Sequence, residues 1–172
     1  MKTFWAFLLF ASVASAQETV NVDGRNVRIR VEGTGSPAVI FESGFGGDGL
    51  SSWTSIFSDV AKMTRTFAYD RAGTGKSDPA TVPRTYNAIA SELHAVLQHQ
   101  KIAPPYILVG HSYGGALVRG FYALYPSEVS GIVFVDPITE RLIEGNAKEL
   151  VAAQEAMMGN APPGVRAEWD FL

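Results

Sequence analysis

The sequence predicts an α/β fold in which a mostly parallel sheet carries helices on both faces. Short apolar runs typical of buried strands alternate with stretches of helical periodicity along most of the chain. The composition agrees with this prediction, since the 172 residues are 47% hydrophobic and 18% charged. That is enough apolar material for one packed core and too much for a mainly disordered chain.

Composition and charge also exclude several classes of protein. Because the chain has no cysteine, it has neither a disulfide scaffold nor a zinc site with thiolate ligands. The net charge is -3 and no run of lysine and arginine occurs, so we expect no nucleic-acid partner. The His, Asp and Glu residues lack the spacing of metal ligands, so we expect no metal and no cofactor.

Residues 1–16 are typical of a secretory signal peptide. Lys2 supplies the positive charge, residues 4–10 form an apolar run, and Ala-Ser-Ala at 14–16 predicts cleavage after Ala16. A retained membrane anchor is the alternative, but the apolar stretch is shorter than the roughly 20 residues that span a bilayer. We therefore expect a secreted protein, extracellular or periplasmic, without a stable membrane span.

The first half of the mature chain predicts four strands and one helix. The predicted strands are residues 19–22, 27–32, 38–42 and 66–69. The first two flank Asp23-Gly24 and should form a hairpin, because apolar and polar residues alternate in the second of them. Between the last two strands, apolar residues at helical spacing predict one buried stripe: Trp53, Ile56, Phe57, Val60 and Ala61.

The second half continues the alternation after a loop. Residues 70–83 are rich in Gly, Ser, Thr and Pro, which favours a loop. The predicted elements that follow are a helix from about residue 89 to 101, a strand at 106–109, a helix at 112–125 and a strand at 132–135. Two consecutive prolines stop the first of these helices before the buried strand begins.

Residues 110–114 (Gly-His-Ser-Tyr-Gly) match the G-x-S-x-G pattern between a predicted strand and a predicted helix, which is the setting of a nucleophile elbow. Such a turn strains the backbone of Ser112 and lifts its Oγ clear of the sheet. Gly110 and Gly114 leave room for the turn. The N–H of Tyr113, at the helix N-terminus, would be an oxyanion donor. The alternative is a glycine-rich turn with an incidental serine.

Four ordered segments of the chain, residues 27–47, 69–78, 107–116 and 125–137, resemble the α/β-hydrolase superfamily of the AB hydrolase-1 type with a serine nucleophile. The resemblance implies the α/β-hydrolase fold and places residues 43–47 at the oxyanion loop, with the Phe45 N–H as the second donor. Ser43 stands where the family often has histidine, a change that a backbone donor tolerates. A glycine turn without a catalytic role is the alternative.

We do not interpret the charged residues of the loop at 69–78 or the three histidines as catalytic. Asp70 and Arg71 look catalytic, but we interpret them as a pair that pins a loop by a salt bridge and hydrogen bonds. A serine nucleophile needs a histidine base, and in this fold the base follows the serine in the chain. All three histidines precede Ser112. We expect His111 to point away from the Oγ, and expect the other two, His94 and His99, to face solvent or the edge of their helix.

Asp136 is the candidate acid, because it ends a predicted strand. A minority of the superfamily has its acid after this strand and most members have it one strand later, so a loop-fixing or pocket-lining role stays open. Residues 17–137 then form the hydrolase core, and residues 138–172 resemble the start of a lid, with a helical pattern over 139–158. Together with the missing base, this predicts an N-terminal fragment of a longer hydrolase, with a fold incomplete at its C-terminus.

Two functions follow from these observations. The first is a secreted serine hydrolase that cleaves ester or amide bonds of small or medium apolar substrates by acyl transfer; lipase, esterase and aminopeptidase all stay open. Epoxide hydrolase chemistry is disfavoured, because such relatives have aspartate where Ser112 stands. The second is a non-catalytic binding protein that lacks the catalytic histidine. A histidine after Ser112 in the natural protein would discriminate them, and we expect little turnover from these 172 residues alone.

Overall fold

The computed structural model describes residues 16–46 and 48–138. The strands are β1 (Ala16–Val22), β2 (Arg25–Glu32), β3 (Ala38–Glu42), β4 (Thr66–Tyr69), β5 (Tyr106–His111) and β6 (Val129–Val135). The helices are α1 (Phe57–Ala61), α2 (Tyr86–His99) and α3 (Tyr113–Leu124), with 3₁₀ turns at Ser51–Trp53 and Pro126–Glu128. The signal-peptide prediction for residues 1–16 therefore lies almost entirely outside the described residues, and the helical pattern predicted at 139–158 lies wholly outside them.

The six strands form one sheet in the order β1-β2-β4-β3-β5-β6. The pairs β3–β4, β3–β5 and β5–β6 are parallel, whereas the β1–β2 hairpin and the β2–β4 pair are antiparallel. This confirms the predicted mostly parallel sheet with an antiparallel hairpin at its start. Because β3, β5 and β6 run in the same direction, their carboxyl ends meet at one edge, where ligands bind in open α/β sheets.

Helices cover both faces of the sheet, as predicted. On one face, sheet residues such as Ile40 and Leu108 pack against α2 and α3. On the other, Phe41 and Val109 pack against Trp53 and Phe57 of the segment that contains α1. Consecutive residues of β3 thus point to opposite layers and all are buried, which explains why the central strands are continuous apolar runs.

The helix predicted over Trp53–Ala61 is present only from Phe57 onward. A 3₁₀ turn ends at Trp53 and α1 begins only at Phe57, so Ile56 falls between them and is 42% exposed. The side-chain hydroxyls of Ser51 and Ser52 donate to the Asp48 carbonyl at 2.9 and 3.2 Å. Such local bonds compete with a regular helix, and the apolar spacing does not reveal them.

Elsewhere the elements agree with the sequence and differ mainly at their ends. Helix α2 begins at Tyr86, before the first apolar residue of its stripe, because the Thr85 side chain caps it by accepting from the Ala88 N–H at 3.0 Å. Strands β1, β5 and β6 are each longer than predicted. Over residues 16–46 and 48–138, no helix has the length and apolar character needed to cross a membrane.

Two buried tyrosines make the fold sensitive to alkali. The Tyr106 hydroxyl donates to the Ile102 carbonyl at 2.7 Å, and burial together with Glu128 raises its pKa to about 12. Burial, followed by Glu42, also raises the pKa of Tyr69 well above its usual value. An unfolded tyrosine releases its proton near pH 10, so above that pH the unfolded state binds fewer protons than the folded one.

We therefore expect the free energy of unfolding to fall as the pH rises from about 10 to about 12, in urea titrations at several pH values. Tyr106→Phe should make this fall shallower, whatever its effect near neutral pH. The exposed Tyr122→Phe exchange is the matched control. An unchanged slope in Tyr106→Phe would contradict the assignment of this alkaline loss to Tyr106.

Candidate active site

Ser112 lies at the turn between β5 and α3 with a φ of 52° and a ψ of -119°, a conformation that residues with side chains rarely adopt. Its N–H donates to the Val135 carbonyl at 3.1 Å, and its carbonyl accepts from the N–H groups of Gly115 and Ile138, each at 2.9 Å. The turn is therefore fixed from both sides, by the start of α3 and by the chain at the end of β6. Strain held by surrounding structure in this way is typical of functional positions.

The elbow glycines have no room for a side chain. A Cβ on Gly110 would lie 2.5 Å from the Gly114 carbonyl oxygen, and a Cβ on Gly114 would lie 2.3 Å from the Glu42 carbonyl oxygen. In both cases the obstacle is backbone, which cannot swing aside as a side chain can. The end of β3, the elbow and the first turn of α3 are thus in direct contact.

The predicted oxyanion donors lie on segments that contact the elbow. A Cβ on Gly44 would lie 3.0 Å from His111 Nδ1 and 3.3 Å from the Cβ of Ser112, so the loop after β3 runs directly against Ser112. Tyr113 is the first residue of α3, so its N–H belongs to the positive end of the helix. The Phe45 ring meets the Tyr113 ring edge-on, with centroids 5.9 Å apart.

Asp70 and Arg71 fix loops by hydrogen bonds and a salt bridge, as predicted, but each residue fixes a different loop and they do not act as one pair. The Asp70 carboxylate is fully buried and accepts from the N–H groups of Leu50 and Lys76 at 3.0 and 3.1 Å. Burial raises the pKa of this carboxyl group above its usual value. The Arg71 guanidinium instead binds Glu42, at 2.7 Å, and the chain that follows β3. Sequence reasoning missed Glu42, whose only signal is a charge at the end of a buried apolar run.

The three histidines have partners that account for their positions. The His111 ring lies edge-on to the Trp53 ring, with centroids 6.3 Å apart. His94 is more enclosed than a solvent-facing residue: its ring stacks on Tyr125 at 4.0 Å and its Nε2 lies 3.1 Å from Glu128 Oε1. The remaining histidine, at position 99, is exposed and pairs with its neighbour at 100.

Asp136 directly follows β6, beside the end of β5, because Val135 pairs with His111. It is exposed and has a φ of 44°, unusual for a residue with a side chain. A Cβ on Gly115 would lie 2.5 Å from Pro137 Cβ, so the turn after β6 packs against α3. The acid role of Asp136 stays a prediction. Within residues 16–46 and 48–138, no group of three or more His, Asp or Glu side chains could hold a metal ion.

Comparisons with known proteins agree with this geometry. Residues 37–162 match a protein-family model described as alpha/beta hydrolase fold. An uncharacterized protein of Bacillus subtilis, YqjL, is 32% identical over 123 residues, which cover 70% of this chain and 48% of YqjL. The chain thus spans about half of the length of that relative.

Solved structures show the same fold at low identity. A putative lipase from Acinetobacter baumannii superposes with a TM-score of 0.73 and 16% identity, over 91% of this chain and 64% of the lipase. The epoxide hydrolase CorEH superposes with a TM-score of 0.65 and 19% identity, over 72% of this chain and 42% of CorEH. The strained serine between β5 and α3, the parallel sheet and the family match lead to one conclusion: the chain belongs to the α/β-hydrolase family.

Proposed function

We propose that this chain supplies the nucleophile and the oxyanion hole of a serine hydrolase that cleaves ester or amide bonds of small or medium apolar substrates. The observation that carries the proposal is the strained Ser112 at the strand-to-helix turn, with the loop after β3 lying against it. A side chain raised on such a turn can reach a carbonyl carbon held at the carboxyl edge of the sheet.

The mechanism is acyl transfer in two steps. Ser112 Oγ bonds to the substrate carbonyl carbon. The carbonyl oxygen becomes negatively charged and accepts hydrogen bonds from the N–H groups of Phe45 and Tyr113. Collapse breaks the bond to the leaving group, which departs with a proton, and water then hydrolyses the acyl-serine. A base must take the Ser112 proton first. We place this base, a histidine, in the part of the whole protein that follows Ser112, as the resemblance implies.

Aromatic and aliphatic side chains beside the donors favour an apolar substrate. Tyr113 is buried and packs with Ile89 and Leu117, and partly buried Phe45, Tyr86 and Ile138 complete the group. The Tyr86 and Tyr113 rings have centroids 6.1 Å apart. An acyl or alcohol group placed over the partly buried side chains of Phe45, Tyr86 and Ile138 would gain from burial, at about 25 cal/mol per Å² of apolar surface.

Hydrolysis assays on the full natural protein test the proposed reaction. We expect saturable cleavage of p-nitrophenyl esters with short to medium acyl chains, and no opening of styrene oxide. The epoxide substrate is included because epoxide hydrolases share the fold. Epoxide opening without ester cleavage would contradict the serine mechanism.

The second candidate function is binding without catalysis, which would hold if the full natural protein has no histidine base for Ser112. Isothermal titration with an uncleavable ester analogue, such as a p-nitrophenyl ether, separates the two functions. Binding without any ester cleavage by the full natural protein would favour the binding function.

We also propose that the protein is secreted, because residues 1–16 have the three parts of a signal peptide. N-terminal sequencing of the protein from its culture medium or periplasm should start at Gln17. Cleavage before Gln17 would keep the pairing of β1 with β2, which would then begin with Gln17 opposite Arg30. A protein that keeps Met1 and sediments with membranes would contradict this proposal.

A further inference from the structure

The Arg71 guanidinium is fully buried at the point where β3 gives way to the oxyanion loop. Its Nη1 lies 2.7 Å from Glu42 Oε1 and 2.9 Å from both the carbonyl oxygen and the Oγ of Ser43. Its Nη2 donates to the Gly44 carbonyl at 2.8 Å. One cation therefore holds the backbone of two consecutive residues that lead into the loop.

The bond to Gly44 sets the direction of the proposed oxyanion donor. The Gly44 carbonyl and the Phe45 N–H belong to the same peptide plane, and in a trans peptide they point in opposite directions. Because the carbonyl points at Arg71, the Phe45 N–H points away from it. A rotation of this plane would turn the donor away from the place where the oxyanion forms, so the guanidinium fixes an orientation on which catalysis depends.

Arg71 also contacts the residue that carries the other donor. Its guanidinium carbon lies 5.6 Å from the centroid of the Tyr113 ring. Tyr113 is itself fully buried, so the ring and the cation meet away from water, where such contacts are strongest. A single side chain thus touches both segments of the oxyanion hole.

Glu42 holds the guanidinium in place. Its carboxylate is almost fully buried and accepts from Arg71 through Oε1 and from the Tyr69 hydroxyl, at 2.9 Å, through Oε2. Burying an ion pair gains little stability over an apolar pair of the same volume, because both charges lose their hydration. We therefore attribute the role of the Glu42–Arg71 pair to the geometry that it imposes on the loop, and not to a gain in stability.

We infer that Arg71, held by Glu42, is a positioning residue. It orients the Phe45 N–H and contacts the Tyr113 ring, so that it fixes the two proposed oxyanion donors relative to each other. The inference rests on the proposed function for its effect on rate, but the loop geometry can be tested separately. Lysine at this position would keep the charge for Glu42 but not the planar fork that reaches the Ser43 and Gly44 carbonyls together.

The test compares Arg71→Lys with Arg30→Lys in the full natural protein. Arg30 is the matched control, since it is nearly buried and binds Glu32 at 2.7 Å, outside the elbow and the oxyanion loop. In ester hydrolysis, Arg71→Lys should lower kcat by about 10- to 100-fold, because a displaced Phe45 N–H makes a poorer hydrogen bond to the oxyanion. KM should stay within about twofold, because ground-state binding is unaffected. Arg30→Lys should keep both constants.

Amide hydrogen exchange is the readout that does not depend on turnover. In Arg71→Lys, the amides of residues 43–46 should exchange about tenfold faster or more, while core amides of β5 keep their protection. Glu42→Gln, which leaves an acceptor but removes the charge that holds Arg71, should give a smaller change in the same direction. Glu42→Gln also provides the exchange test if the Arg71→Lys variant does not fold.

Each outcome decides a different claim. Unchanged exchange at residues 43–46, or an unchanged kcat in an active protein, would overturn the positioning role. A loss of kcat equal to that of Arg30→Lys would assign Arg71 to stability alone. If the wild-type protein cleaves no ester, the proposed function fails, and the exchange experiment still decides whether Arg71 sets the loop.

Discussion

Ser112→Ala is expected to abolish ester hydrolysis by the full natural protein, with kcat/KM lower by about 10⁴-fold or more. Without the Ser112 hydroxyl the proposed acyl-enzyme bond cannot form, so what remains is the small rate enhancement from binding and the oxyanion hole. Alanine fits the same backbone space, although the positive φ of 52° stays unfavourable for any side chain. Thermal unfolding should therefore change little.

The matched control is Ser55→Ala, because Ser55 is exposed on the chain before α1. It should keep wild-type kcat and KM. A Ser112→Ala variant that retains more than about a tenth of the wild-type kcat/KM would assign the reaction to a different nucleophile.

Gly114→Ala is expected to damage stability and activity together. The added Cβ would lie 2.3 Å from the Glu42 carbonyl oxygen and 2.6 Å from that of Ser43, so α3 and the end of β3 must separate. Such overpacking costs about 1–3 kcal/mol of unfolding free energy. Because the displaced backbone leads into the proposed oxyanion loop, kcat should also fall, by about 100-fold.

Gly131→Ala is the control for that substitution. Gly131 lies in β6 with its nearest neighbour, the Ile107 side chain, 4.0 Å from an added Cβ. The unfolding free energy should stay within about 0.5 kcal/mol of wild type in urea titrations. Wild-type stability in Gly114→Ala would show that β3 and the elbow do not approach as closely as the structure has them.

The elbow could be predicted from sequence because all of its determinants lie within a few residues. Ser112, its flanking glycines, the preceding apolar strand and the following helix are contiguous, so one local pattern specifies the turn. The same holds for the central strands, whose continuous apolar runs require burial on both faces.

The contacts between Arg71 and the loop after β3 could not be predicted, because they join residues that are far apart in sequence. Glu42 and Arg71 are 29 positions apart and meet only because β3 and β4 pair in parallel, with Phe41 opposite Ala68. The sequence places an acid beside Arg71, at Asp70, and proximity along the chain suggested that pair instead. Strand register, which a single sequence specifies weakly, decides which carboxylate the arginine reaches.

Covalent labelling can identify the nucleophile of the protein directly. The full natural protein would be treated with a fluorophosphonate probe, digested, and the modified peptide located by mass spectrometry. We expect one probe adduct, on Ser112, and none in Ser112→Ala. An adduct on another residue, or ester hydrolysis by a protein that the probe does not modify, would contradict the role of Ser112 as the nucleophile.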